Sequence, residues 1–502
     1  MAQTRPLPRI CIALGFPDLD RLLEHARREA EAGESFLEFR LDYLENPEHG
    51  ARAIRALLEQ YPDCIVLATC RRHQNHGRFN GSIEEEIRIL DMAVSAGAQA
   101  VDVEVESAEP AAARLGIFRG RARLVISYHN YEATPQLDTL LNRMTRIPAD
   151  GYKVVTTARK PSDYGRVLAL TKSHPRTPLV LLAMGELGFP SRVLSTAFGG
   201  MYTYAAPTAT QGTAAGQVCA RQLRHLYRVE KLSRSSKIYG IVADPVRHSI
   251  SPAVHNRAFQ FRRMEAVYLP FLVPTAQMRD FFGLAERLPI AGFSVTIPHK
   301  QKIVRYLDIV DPLARRIGAV NTVWRKSGKW RGANTDAAGV TIPLAREVRL
   351  RNASVLIVGN GGAARSAACA LSDAGARIAL VGRNADRVRS LAKVCGGEPL
   401  LIDQLAQKHF DALVHATPLG MHPHVNECFF NGKIPADVVF DMVYNPLETE
   451  LIRRAREEGK TVIRGLDMFI EQAVRQFEIW TGETAPRTVM EKAALEALNC
   501  EV

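Results

Sequence analysis

Val355-Leu356-Ile357-Val358-Gly359-Asn360-Gly361-Gly362-Ala363-Ala364 is an apolar run, a glycine-rich turn and an alanine-rich start, in that order. The run reads as a buried strand and the alanines as the first turn of a helix. Gly359-x-Gly361-x-x-Ala364 at that junction lets an anion approach backbone N–H groups at a helix N-terminus. About twenty residues on, a second apolar run, Arg377–Val381, ends in Gly382-Arg383-Asn384. Further runs near 412–415, 437–441 and 461–463 continue the alternation of strand and helix. The pattern predicts a doubly wound Rossmann unit over 341–468 that binds a dinucleotide on Gly359, Gly361, Gly362 and Ala363. An acidic residue at the end of the second strand would suit NAD. Arg383 suits a 2′-phosphate instead, so the expected cofactor is NADP.

Upstream, strands near 238–242, 266–271 and 291–295 form another unit over 238–340. The helical segment from about 469 to 502 is expected to pack back on it and complete it. In the loop Asp244–Asn256, Ser249 and Ser251 stand at i and i+2, able to grip a carboxylate together. Lys300 follows the run Gly292–Val295, free to act at a carbonyl, and Asn321 and Asp336 supply an amide and a carboxylate.

Before the polar stretch 230–237, which reads as a linker, the chain repeats strand and helix from residue 9 to about 228. Strands are expected near 9–14, 35–41, 64–70, 99–105, 123–129, 151–157, 178–184 and 201–206. Helices fall between them, for example at 20–32, 83–96 and 214–227. Eight such repeats predict a (β/α)8 TIM barrel over 1–229, with chemistry at the C-terminal ends of the strands. Glu38, Arg40, Arg71, His129, Lys153 and Arg192 fall there. A lysine amine attacks ketones when desolvation or neighbouring cations free its lone pair, and Lys153 sits in the apolar run Tyr152–Val155. His129 could remove a proton from the carbon beside an imine, with Glu38 orienting it. The three arginines could clamp a carboxylate.

The bulk numbers agree with a soluble enzyme of several domains: 502 residues, 46% hydrophobic and 24% charged. The net charge of +12 is dispersed along helices, which argues for anionic small molecules and against nucleic acid. Eight scattered cysteines without a C-x-x-C pair point to free thiols in a reducing cytoplasm. No targeting segment is expected before the first strand, so a plastid address is not expected. His422, His424 and Cys428 read as a polar loop, and no metal is expected.

Two resemblances sharpen this reading. Glu38–Asp42, Ser127-Tyr128-His129, Tyr152-Lys153 and Gly212–Gln217 resemble the signature segments of type I 3-dehydroquinate dehydratases. The resemblance implies a Schiff base at Lys153, general acid/base chemistry at His129, and Glu38 as the histidine's carboxylate partner. It also implies substrate contacts from Arg71, Arg192, Thr213 and Gln217. Asn75 lies in a loop where many members carry a glutamate-glycine-glycine pattern, and Ala215 stands where proline is usual. Residues 238–502 resemble shikimate dehydrogenases, which implies a proton-handling pair Lys300 and Asp336. Implied substrate contacts are Ser249, Ser251, Thr296, Asn321, Tyr444 and Gln472; Thr417, Gly465 and Met468 are implied on the cofactor side. Ser294, Asn384 and His415 depart from the common pattern. The first family's product, 3-dehydroshikimate, is the ketone the second reduces to shikimate, so the expected function is both steps on one chain. Two rivals are a quinate-oxidising second half and a catalytically dead sensor of pathway intermediates.

Overall fold

A computed structural model describes residues 6–208, 212–213, 216–247 and 249–499. By its internal contacts the chain divides into two compact units. One comprises residues up to Ser236 with Phe271–Val273 and Arg279–Pro289; the other comprises Lys237–Pro270, Pro274–Met278 and the residues from Ile290 on.

In the first unit eight parallel strands form one curved sheet. They are β1 (Ile10–Leu14), β2 (Phe36–Arg40), β3 (Ile65–Thr69), β4 (Ala100–Glu104), β5 (Arg123–His129), β6 (Gly151–Thr157), β7 (Leu179–Met184) and β8 (Thr203–Ala205), in the order β7-β6-β5-β4-β3-β2-β1-β8. At the seam the Met201 N–H donates to the Leu179 carbonyl at 2.7 Å, which nearly closes the sheet into a barrel. Both faces of these strands are covered, so they read as near-continuous apolar runs. Alternate residues point inward: Cys11 and Ala13, Ile65 and Leu67, Val180 and Leu182, and Tyr202 and Tyr204 share one buried cluster.

One expected barrel helix is largely absent. Ala214 and Ala215 lie outside the described residues. Beyond them the Ala206 N–H takes the Val218 carbonyl at 2.9 Å, and Gly216 adopts φ +78. Both features are incompatible with a helix there. Helical structure runs only over 220–226, where the Tyr227 N–H reaches back five residues to the Gln222 carbonyl.

The second unit carries two sheets. β9 (Lys237–Ala243), β10 (Ala266–Leu272), β11 (Ile290–Val295), β12 (Ile309–Val310), β13 (Thr322–Lys326) and β14 (Lys329–Ala333) lie in the order β10-β9-β11-β13-β14-β12. β13 and β14 form an antiparallel hairpin that the sequence reading did not foresee. Ser327 (φ 54) and Gly328 (φ 76) between them make the two-residue turn whose twist matches such a hairpin.

β15 (Ser354–Val358), β16 (Arg377–Val381), β17 (Glu398–Pro399), β18 (Phe410–His415), β19 (Ala436–Asp441) and β20 (Thr461–Ile463) form a parallel sheet ordered β17-β16-β15-β18-β19-β20. This is the doubly wound order that puts ligands outside the carboxyl end of the central strand. Val355 and Ile357 pack into one buried cluster and Leu356 and Val358 into another, so both faces are covered. The C-terminal segment is two helices, Gly465–Thr481 and Arg487–Asn499. They part at Gly482, whose φ of +76 caps the first. The second helix packs on Ser251–Phe261. Among the described residues no helix is long and apolar enough to cross a membrane.

Gly292 of β11 gives room for this packing. A Cβ there would meet the Trp480 ring at 2.8 Å and the Val323 carbonyl at 2.8 Å, the same carbonyl that accepts the indole N–H at 3.0 Å. Gly292→Val should therefore destabilise the second unit by roughly 1–3 kcal/mol. Thermal unfolding followed by tryptophan fluorescence checks this, and an unchanged midpoint refutes it.

Candidate active sites

Lys153 is the third residue of β6 and pairs with Ser127, while His129 ends β5 opposite Val155. Lys153 therefore lies deeper in the barrel than the rim, where Arg40, Arg71, His129 and Arg192 gather at or beyond strand ends, and Glu38, the middle residue of β2, lies at its depth. It is 3% exposed, so the expected burial is present. Its neighbours are anionic rather than cationic. Nζ donates to Asp102 Oδ2 at 2.8 Å and to the Tyr204 hydroxyl at 2.9 Å, and it lies 3.6 Å from Glu38 Oε1. Tyr204 donates in turn to Glu38 Oε1 at 3.3 Å, Thr69 donates to the same oxygen at 2.8 Å, and Ser127 donates to Asp102 Oδ1 at 2.5 Å. Burial opposes charge on Asp102, yet Lys153 and Arg71 hold its carboxyl below the usual range.

The structure corrects the role expected of Glu38. Its carboxylate is taken up by Thr69, Tyr204 and Lys153, and the acid beside His129 is Glu104. His129 Nδ1 lies 3.6 Å from Glu104 Oε1. The same oxygen pairs with Arg71 Nε at 2.6 Å, and Asn75 Nδ2 donates to Oε2 at 3.0 Å. Burial, together with Arg71, Lys153 and Arg40, pushes His129 well below its ordinary value, so the ring is a neutral base. Burial raises Glu104 to about 7, with Arg71 pulling the other way. Asp102 and Glu104 stand at i and i+2 in Val101-Asp102-Val103-Glu104, two acids on one face of an otherwise apolar strand. That alternation was the available signal.

Of the expected clamp, Arg40 is held bidentately by Asp42 at 2.8 Å for both contacts, and Arg71 is engaged by Glu104. Arg192, on the helix Phe189–Leu194, is buried, and burial alone pulls its pKa down to about 10. Such a desolvated cation favours an arriving anion. The Thr213 N–H donates to Gln217 Oε1 at 2.7 Å. A Cβ at Gly216 would lie 3.9 Å from Arg192 Nε, and one at Gly15, just past β1, 3.1 Å from the Thr213 methyl. Thr213, Gln217 and Arg192 therefore border the same mouth.

In the second unit Lys300 Nζ donates to Asp336 Oδ2 at 2.6 Å, and Asn321 Nδ2 donates to Asp336 Oδ1 at 2.7 Å. A chain of hydrogen bonds runs on from there. Thr322 donates to Asn321 Oδ1 at 2.7 Å, and Gln476 Nε2 donates to Thr322 Oγ1 at 3.2 Å. Ser294 donates to Gln476 Oε1 at 2.9 Å, and Tyr268 donates to Ser294 at 2.7 Å. Tyr268 also bonds Ser251, whose N–H donates to Ser249 Oγ at 3.3 Å. The serine pair and the lysine–aspartate pair are thus ends of one network. His248, between the serines and Arg247, lies outside the described residues. Thr296 sits just past β11, where its carbonyl accepts the His299 N–H at 2.8 Å. Gln472 donates to the Phe469 carbonyl at 2.9 Å, and Tyr444 packs on Phe469 with ring centroids 4.9 Å apart.

The glycine turn follows β15 directly. Gly359 has φ +126, and a Cβ there would meet the Ala416 carbonyl at 2.7 Å. Gly361 has open space around it, and Gly362 begins the helix Gly362–Asp373, with Ala363 its second residue. Bare backbone N–H groups at a helix start fit a pyrophosphate. A Cβ on Gly362 would lie 3.9 Å from Lys300 Cδ, so the turn and the lysine share one cleft. Arg383 is exposed past β16, and Asn384 caps the following helix by accepting the Arg387 N–H at 3.0 Å. Thr417 follows β18. A Cβ on Gly465 would meet the Val443 carbonyl at 2.2 Å, and Gly339 lies against Met468. His424, considered for metal, pairs with Glu427 at 2.6 Å.

A buried lysine beneath a rim histidine in one unit, and in the other a doubly wound sheet whose glycine turn lies beside a lysine–aspartate pair, fit a lyase and an oxidoreductase on one chain. Residues 10–234 match the family described as type I 3-dehydroquinase. Residues 241–323 match the shikimate dehydrogenase substrate binding domain, 344–426 the shikimate/quinate 5-dehydrogenase family, and 465–495 the shikimate 5′-dehydrogenase C-terminal domain. The chloroplastic bifunctional 3-dehydroquinate dehydratase/shikimate dehydrogenase of Arabidopsis thaliana is 33% identical over 505 residues, covering 95% of this chain and 83% of that one. A shikimate dehydrogenase (NADP(+)) of Bacillus mycoides is 38% identical over 257 residues, 49% of this chain and 93% of that one. A solved chorismate mutase/shikimate 5-dehydrogenase fusion protein from Clostridium acetobutylicum superposes with a TM-score of 0.50 at 28% identity, covering 53% of this chain and 99% of that one. The chain belongs to the bifunctional 3-dehydroquinate dehydratase/shikimate dehydrogenase family, and is a lyase and an oxidoreductase of the shikimate pathway.

The Glu104 geometry has a measurable consequence. If its carboxylate must be ionised to accept the His129 Nδ1 proton, log(kcat/KM) for dehydration should climb as pH rises through about 7. Glu104→Gln should flatten that limb and lower the plateau about tenfold or more, out of the roughly 10²–10⁴ that acid–base catalysis supplies. Glu38→Gln should leave the limb in place. A limb that survives in Glu104→Gln refutes the assignment.

Proposed function

We propose that the barrel dehydrates 3-dehydroquinate through an imine at Lys153. The amine adds to the ketone carbon and water leaves, which acidifies the neighbouring carbon. His129 then removes that carbon's proton and returns it to the departing hydroxyl, and water regenerates the amine and releases 3-dehydroshikimate. Asp102, Glu38 and Tyr204 hold Nζ, and Glu104 orients His129. Arg192, with Thr213 and Gln217, takes the substrate carboxylate and hydroxyls. Arg40 and Arg71 shape the site through Asp42 and Glu104. The observation that carries this half is the burial of Lys153 two register positions below His129 on the adjacent strand.

In the second unit we propose a substrate domain of residues 238–340 completed by 469–502, and a dinucleotide domain of 341–468, with 230–237 as linker. Ser249, Ser251, Asn321, Thr296, Tyr444 and Gln472 would hold 3-dehydroshikimate or shikimate, each a carboxylate. Lys300 would give the ketone oxygen its proton, with Asp336 orienting the ammonium. NADP would lie on Gly359, Gly361, Gly362 and Ala363, its reduced form supplying hydride. Arg383, with Asn384 beside it, would read the 2′-phosphate, and Thr417, Gly465 and Met468 would border the nicotinamide. The free thiols Cys11, Cys64, Cys70, Cys219, Cys369, Cys395 and Cys428 support a reducing compartment such as the cytoplasm.

Borohydride added with 3-dehydroquinate should attach the ligand covalently to Lys153, read by peptide mass spectrometry. Lys153→Ala should abolish dehydration and spare 3-dehydroshikimate reduction. Labelling elsewhere, with full activity in the variant, overturns the reading. For the cofactor, one charge-assisted phosphate contact is worth roughly 1.5–3 kcal/mol. Arg383→Ala should therefore raise the KM for NADPH about ten- to a hundredfold and barely change that for NADH. Equal use of both dinucleotides by the unaltered enzyme would remove that role from Arg383.

A further inference from the structure

We propose that His415 and Asp441 are a positioning pair that fixes the direction of the Thr417 hydroxyl, so that Thr417 offers the bound dinucleotide a hydrogen-bond acceptor and no donor. The inference rests on the reading of the glycine turn as the NADP site. It concerns a buried network that neither the lysine–aspartate pair nor the phosphate cradle uses.

The backbone sets the network up. His415 ends β18, in register with Val358 of β15 on one side and Asp441 of β19 on the other. All three lie at the carboxyl edge of the sheet, where ligands of such sheets bind. His415 is 1% exposed and Asp441 0%. The His415 ring spans two partners: Nδ1 lies 2.9 Å from Asp441 Oδ1, and Nε2 lies 2.6 Å from Thr417 Oγ1.

The proton positions follow from counting donors. The Val443 N–H donates to Asp441 Oδ1 at 3.1 Å. The Thr449 hydroxyl, which itself accepts the Ile452 N–H at 3.3 Å, gives its proton to Asp441 Oδ2 at 2.5 Å. Asp441 therefore receives donors on both oxygens, as an ionised carboxylate does. It can meet His415 only as an acceptor, so Nδ1 carries the proton. In the neutral imidazole Nε2 is then a lone pair, and the short contact to Thr417 requires the threonine hydroxyl to donate inward. Thr417 Oγ1 also accepts the Leu419 N–H at 3.3 Å, which leaves one lone pair on a half-buried side chain. A Cβ on Gly359 would lie 3.4 Å from the Thr417 methyl, so Thr417 borders the glycine turn. What it can hold there is an N–H or O–H of the nicotinamide nucleoside. An ordinary threonine rotates to suit either polarity, whereas this one is locked, which makes it selective for a donor and costs less ordering when the ligand arrives.

Two measurements test this on the full-length enzyme. In the unliganded protein, ¹⁵N NMR of labelled histidine should give His415 the signature of a proton on Nδ1 and a bare Nε2, the signal being identified by its loss in His415→Gln. A proton on Nε2 overturns the proposal, whatever any variant does. NADPH affinity, read from nicotinamide fluorescence, should fall about tenfold in Thr417→Val and about tenfold in His415→Leu. It should fall no further in the double variant, because the histidine acts only through the threonine. His415→Gln, which can still accept from Thr417, should recover part of the loss. Multiplying effects in the double variant, or full affinity in Thr417→Val, overturn the proposal. Failure of the unaltered enzyme to bind NADPH at all would instead overturn the reading of the glycine turn.

Discussion

The barrel is organised around one buried ammonium. Placing the Lys153 charge inside a nearly closed sheet costs several kcal/mol unless opposite charge and hydrogen bonds meet it there. Asp102 and Glu38 supply the charge, and each then needs donors of its own, which Ser127, Thr69 and Tyr204 provide. Five strands and β8 thus contribute polar side chains to a single interior layer, with apolar residues such as Leu67 and Val180 around them. Removing one carboxylate would strand a charge, which for buried pairs costs about 3–5 kcal/mol. The arrangement explains why acids appear inside strands that are otherwise apolar.

The same logic runs through the second unit over a longer path. Asn321 is pinned from both ends of its amide: Nδ2 gives its protons to Asp336 and Thr335, and Oδ1 receives Thr322 and the Thr335 N–H at 2.8 Å. This fixes the Asp336 carboxylate, which in turn fixes Lys300. At the far end Ser294 and Gln476 carry the order to Tyr268 and Ser251. A side chain from the C-terminal helix Gly465–Thr481 therefore completes a network whose other members lie some 140–225 positions earlier. That is the physical reason this helix belongs with the earlier sheet.

How far the sequence revealed this depends on the range of the interaction. The barrel strands and the β15 turn were legible because burial on both faces leaves continuous apolar runs, and because Gly359 is needed where a Cβ would strike Ala416. His129 ends a strand and Asp336 starts a helix, while Lys153 stands inside an apolar strand and Lys300 in the turn after one, as their sequence surroundings indicated. The β13–β14 hairpin was missed although Ser327-Gly328 marked its turn, since its strands are short and half exposed. The acid beside His129 was not foreseen because Glu38 and Glu104 both lie on barrel strands, Glu38 in the middle of β2 and Glu104 at the end of β4. Only the register of β4 against β5, which sets Glu104 opposite Ser127, decides between them. The helix expected over 214–227 fails because Val218 spends its carbonyl on Ala206, a tertiary bond no local pattern records.

On the proposed reading, the two lysines differ in burial as a nucleophile and a proton donor would need to. Lys153 is sealed, its side chain 4% exposed, with two acids and a phenol around Nζ; Lys300 has one acid and a side chain 20% exposed. An amine that must form a covalent bond to carbon and later release it needs its water excluded and its position fixed, because stray water would hydrolyse the imine early. An ammonium that only lends a proton must recover it each turnover, so a path to solvent is an advantage and one orienting carboxylate is enough. On that reading, different exposure of the same side chain, set by a barrel interior in one unit and a cleft edge in the other, would let one chain run both steps without exchanging their chemistry.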